Sequence, residues 1–125
     1  MKPALLSAMA GAALCALAGP AGAYTINGVI PPGRAPVVIA LRRPIRPGVI
    51  SFEFSAPRVN AGVPYAVDFC LGPRANPCGL PGARVVNVPE GQSRSAAFSS
   101  ILLTRNVLVA GQGTRVAVPF SVTVN

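Results

Sequence analysis

The chain of 125 residues contains no histidine and no tryptophan, and only three of its residues are acidic. Without histidine, no Ser-His-Asp or Cys-His constellation and no His-ligated metal site can be assembled. The carboxylates Glu53, Asp68 and Glu90 are too few for a calcium site, which needs about six to eight oxygen ligands. Lysine is nearly absent as well: Lys2 is the only one, and every later cation is an arginine. Nucleophilic or acid–base catalysis therefore lacks the groups that usually activate it. No phosphate-binding glycine loop, dinucleotide fingerprint or metal-ligand spacing appears. These absences point away from an enzyme, and no catalytic residue, cofactor or metal ligand is assigned.

Proline and glycine are plentiful, with 14 and 13 residues. At that density they interrupt helices every few residues, which excludes a coiled coil or helical assembly. Residues 1–23 stand apart from the rest. Lys2 is followed by an uncharged Ala/Leu-rich run from Ala4 to Ala18, a Gly19-Pro20 break and Ala21-Gly22-Ala23. This is the order of a secretory signal peptide, with cleavage expected after Ala23. The apolar run is shorter than the roughly 20 residues that span a bilayer. Leu14 before Cys15, so close to Lys2, does not suit a lipoprotein acylation site. The expectation is a single exported domain over residues 24–125, periplasmic or secreted, with no transmembrane segment of its own. The joint excess of Arg, Ala, Gly and Pro also fits a GC-rich bacterial genome, so the net charge of +8 is partly compositional.

Apolar residues after Ala23 recur with period two. Val116, Val118, Phe120, Val122 and Val124 alternate with Arg115, Ala117, Pro119, Ser121 and Thr123. Ile50, Phe52 and Phe54 form a second alternating set, Tyr65, Val67, Phe69 and Leu71 a third, and Val37, Ile39 and Leu41 a fourth. Ile26–Ile30, Arg84–Val88, Ser95–Leu103 and Asn106–Val109 are weaker candidates. Gly/Pro/Asn turns separate them at Pro31–Gly33, Pro44–Gly48, Asn60–Gly62, Pro89–Gly91 and Gly111–Gly113. Seven or eight short strands read as a small antiparallel β-sandwich of immunoglobulin-like, Greek-key type. Pro119 cannot donate to a ladder, so the last strand is expected at an edge or bulged. An unprotected edge there would admit a strand from another chain, whereas Pro119 and Arg115 would block one.

Two cysteines remain beyond the leader, Cys70 and Cys78, and an oxidising compartment favours their pairing. The bond would clip a proline-bounded loop that carries Arg74. A rigid loop of this kind suits recognition by a partner protein, as in a protease inhibitor or an assembly factor. The second candidate surface is Arg42, Arg43 and Arg46 around Pro44, which suits an anionic polymer or an envelope protein. Nucleic acid is disfavoured, because the aromatics that would stack on bases fall mostly on inward faces: Phe52, Phe54, Tyr65, Phe69 and Phe120. Glu53 and Asp68, on outward faces of strands that a hairpin would make neighbours, are expected to pair with arginines across strands. The sequence thus describes an exported, non-catalytic binding or structural module.

Overall fold

The computed structural model describes residues 22–33, 35–59, 64–111 and 116–125. The expected signal segment lies outside the described residues except for Gly22 and Ala23, as do Arg34 and Arg115 and the turn residues 60–62, 112 and 113. Among the described residues there are eight strands: β1 Tyr24–Ile30, β2 Val37–Val38, β3 Val49–Ala56, β4 Ala66–Gly72, β5 Arg84–Pro89, β6 Gln92–Ser99, β7 Val107–Gly111 and β8 Val118–Val124. A short helix, α1 Ser100–Arg105, lies between β6 and β7. The strands form two four-stranded antiparallel sheets, β1-β8-β3-β6 and β2-β7-β4-β5. The small antiparallel sandwich expected from the turn spacing is therefore what forms, although its strand order is not the immunoglobulin one, in which the first strand pairs with the second.

Its strand order has a simple origin. The first strand pairs with the eighth, the second with the seventh, the third with the sixth and the fourth with the fifth. The chain is a long nested hairpin rolled up so that β8 also meets β3 and β7 also meets β4. This is the arrangement of a jelly roll, two Greek keys in two packed sheets.

The inward faces carry the period-two residues. Ile50, Phe52 and Phe54 of β3 and Val118, Phe120, Val122 and Val124 of β8 are buried, as are Val67, Phe69 and Leu71 of β4. All five phenylalanines of the chain touch in series. Phe98 meets Phe52 at 5.6 Å between centroids, Phe52 stacks on Phe54 at 5.5 Å, and Phe54 meets Phe69 at 4.4 Å. Phe69 then meets the edge of Phe120 at 5.8 Å. Such offset and edge contacts suit the ring quadrupoles.

Three expectations need correction. The last strand is not an edge, because β8 runs between β1 and β3. Pro119 fits there without a bulge: its register with β1 is unbroken, and the ladder to β3 covers only Ser121–Val124. Pro119 thus lies where β8 has one neighbour, so its missing N–H costs no second ladder. The fourth alternating set forms strand only at Val37–Val38. Ile39 still bonds Leu108 through its N–H at 2.8 Å, after which the chain leaves the sheet toward Pro44. Ser95–Leu103 is also divided, with its strand ending at Ser99 and a helix following. Gln92–Ala110 is the longest stretch of the chain free of Pro and Gly, so a helical turn is permitted there. The Ser99 side chain caps the helix by accepting from the Ile101 N–H at 3.3 Å.

The end of the sandwich at the β3–β4 and β5–β6 connections is latched by Glu90. Its carboxylate accepts from the Val59 N–H at 3.0 Å, and its own N–H donates to Tyr65 O at 2.9 Å. The Tyr65 hydroxyl donates to Pro57 O, and burial first, then the nearby Glu90 charge, raise its pKa above the ordinary tyrosine value. Glu90 is therefore a structural turn residue.

Gly28 of β1 faces Phe120 of β8, and a Cβ there would lie 2.3 Å from the Phe120 ring. Gly28→Ala should destabilise the fold by about 1–3 kcal/mol through displacement of that ring. Asn27→Ala, on the exposed face of the same strand, should stay within about 0.5 kcal/mol. Urea unfolding of both variants checks this, and equal midpoints would contradict the packing.

Candidate functional site

The two sequence-derived surfaces occupy different parts of the sandwich. The starts of β1 and β3, the end of β8 and the helix α1 converge at one end. There the segment from Leu41 to Arg46 crosses over them, with a cis Arg43–Pro44 peptide bond. Tyr24 of β1 holds this segment from below. The Arg42 N–H donates to the Tyr24 hydroxyl at 3.1 Å, and the Arg42 guanidinium lies 4.4 Å from the centre of the Tyr24 ring. A cation within about 6 Å of a tyrosine face is attracted by the ring quadrupole. Arg46 reaches the other side and donates from Nη2 to the Asn125 carbonyl. Gly48, at φ 110°, turns the chain into β3, and its N–H donates to the Ser100 hydroxyl at 3.2 Å.

Between the segment and the sandwich lies a cleft of about 310 Å³. Its walls include Arg42, Arg43 and Arg46, and its apolar floor is Ile50, Phe52, Leu103 and Val124. Among the described residues, no aspartate or glutamate side chain lines it. The structure thus brings the three predicted arginines together at one site. The floor residues and Tyr24 were not among the candidates. Tyr24 stands 18 residues before Arg42, and only the return of β1 along β8 places it beneath the segment.

The second surface is built on the disulfide. Cys70 and Cys78 are bonded, with Cα atoms 5.3 Å apart. Cys70 alternates with the inward Phe69 and Leu71 and so points to the outer face of its sheet, yet it is fully buried. Pro77 and Cys78 fold back over it. A Cβ on Gly72 would meet Pro77 at 2.6 Å, and one on Gly111 would meet the Cys78 sulfur at 3.2 Å. Val109, paired opposite Cys70, is buried under the same cover. The loop is therefore a lid over a small second core, with Arg74 exposed along it. Arg74 is not brought near the other three arginines by any contact among the described residues.

The acidic residues do not assemble. Glu53 lies on β3 and Asp68 on β4, in different sheets, so the expected neighbouring strands are not formed. Asp68 accepts from Asn87 Nδ2 at 2.7 Å across the β4–β5 ladder. Among the described residues, no helix is long and apolar enough to cross a membrane.

Comparison with known families and with characterised proteins finds no sequence match. Among solved structures, one chain from Bacillus endospore appendages, described as a novel family of disulfide-linked pili, overlays on 90% of this chain and 96% of its own. Identity is 16% and the TM-score 0.44, values at which a likeness assigns neither fold nor function.

Closing so short a loop contributes about 2.5 kcal/mol in the chain-entropy treatment. The double variant Cys70→Ala/Cys78→Ala should therefore unfold at lower denaturant by at least about that amount, because Pro77 also loses its hold on the sheet. An unchanged urea midpoint would contradict the lid.

Proposed function

We propose that the protein is a non-catalytic, exported binding or structural module of the bacterial envelope that contacts anionic partners through Arg42, Arg43 and Arg46. The observation that carries this reading is the convergence of three arginines on one cleft with no aspartate or glutamate side chain in its lining among the described residues. Two of the three are held in place, Arg42 by stacking on Tyr24 and Arg46 by the Asn125 carbonyl. A pre-ordered cationic surface loses less conformational entropy on binding than a mobile one. Removal of a leader after Ala23 would take away Gly22, which lines the cleft, and would leave an α-ammonium group at Tyr24 beside it. Export in this way would add positive charge to the same site.

A second reading is supported by the exposure of Arg74 on the disulfide-clipped lid. In that reading the lid is a protein-interaction loop, as in a protease inhibitor or assembly factor. Inhibition of a trypsin-like protease, lost on reduction or in Arg74→Ala, is its signature.

Retention on a heparin column tests the main reading. Wild-type protein should be retained and should elute as salt rises. The triple variant Arg42→Ala/Arg43→Ala/Arg46→Ala should elute markedly earlier with its fold intact by circular dichroism. Unchanged retention of the variant would remove the arginine cluster as the contact surface.

A further inference from the structure

Arg43 differs from its two neighbours in the segment. Arg42 is stacked and Arg46 is hydrogen-bonded, whereas Arg43 makes no hydrogen bond, ion pair or ring contact among the described residues. It also lines two cavities at once. One is the cleft of about 310 Å³, and the other, of about 240 Å³, lies on the β2–β7 side. The two share Leu41, Arg43 and Leu103, and neither has an aspartate or glutamate side chain in its lining among the described residues. Behind Arg43 the floor is core: Ile50, Phe52, Leu103 and Val124 are each at most 5% exposed. A guanidinium with free donors thus stands at the mouth of an apolar recess.

We propose that this cleft binds a free single-chain amphiphilic anion, such as a medium-chain carboxylate. Its head would sit on Arg43 and its apolar body against the half-buried Leu41 and Ile45, over the floor of Ile50, Phe52 and Leu103. The proposal rests on the reading of the arginine segment as an anion-binding surface and adds an apolar body to the partner. Charge complementarity selects the head, because a planar guanidinium fork matches a carboxylate through two parallel hydrogen bonds. The floor selects the body, since a hydrophilic anion would leave the apolar recess wet and unused. An uncharged apolar guest would leave the exposed Arg43 donors to water and gain nothing from their charge. Size selects against a two-tailed lipid, because the cleft is at the small end of the ligand-pocket range.

The test is an NMR titration of the purified exported protein with sodium decanoate below its micelle concentration. Saturable shifts are expected at Ile45, Ile50, Leu103 and Val124. Acetate, which has the head without the body, should produce none, and decanol, which has the body without the charge, should bind at least about tenfold more weakly. Arg43→Gln should weaken decanoate about tenfold with an unchanged melting temperature, and Arg43→Lys should recover part of the loss. Absent shifts, shifts scattered over the surface, or equal binding by Arg43→Gln would overturn the proposal. Sedimentation with anionic phosphatidylglycerol vesicles, without saturable decanoate shifts, would also overturn it and assign the segment to a membrane surface. Retention on heparin is scored separately. Retention without decanoate binding sinks the cleft proposal alone, and decanoate binding without retention supports it while removing the polymer-binding reading.

Discussion

The contact of Phe69 with Phe54 and Phe120 is the interaction on which the rest of the molecule depends. Phe69 is the one phenylalanine from the second sheet, and it packs on two rings of the first. Through Phe54 it joins Phe52 and Phe98, so every phenylalanine in the chain belongs to one continuous column. A chain with so few aromatics concentrates them where two sheets must adhere. Each such pair adds about 0.5–1.5 kcal/mol beyond the area it buries. The aliphatic residues around the column fill the remaining space, and no buried side-chain polar atom among the described residues lacks a partner.

Once the sheets are joined by this column, the nested pairing decides what meets at each end. One end is closed by the Glu90 latch. At the other, β1, β3 and β8 end beneath the Leu41–Arg46 segment, and the short helix places Leu103 among the core residues. The segment rests on Tyr24 because β1 runs the full length of β8, from Ile30 opposite Val118 to Tyr24 opposite Val124. The arginine site is thus a consequence of strand register. The disulfide lid is separate in origin: it covers the outer face of the second sheet, where Cys70 and Val109 would otherwise be exposed.

Much of the interior was legible in the sequence because strands have a period of two. The alternation at Ile50–Phe54, Tyr65–Leu71 and Val116–Val124 names the buried residues directly, except Val116, which precedes the strand and is exposed. Pairing of strands was less legible, since alternation says which face a residue takes and nothing about its neighbour. That is why Pro119 pointed to an edge: a missing N–H has the same local signature at a true edge and at a stretch with one neighbour. For the same reason Glu53 and Asp68 fell into different sheets. The arginine cluster was visible as local sequence, but its floor comes from residues spread from Ile50 to Val124, and its support, Tyr24, carries no local signal.

A prebuilt cleft, formed before any partner arrives, is the central claim, and the stacking of Arg42 on Tyr24 is its most direct mark. Proton NMR of the unliganded protein measures it. Nuclear Overhauser contacts between the Tyr24 ring and the Arg42 side chain are predicted, with the Arg42 methylene protons shifted upfield by the ring. Arg42 resonances at random-coil positions, with no contact to Tyr24, would contradict it.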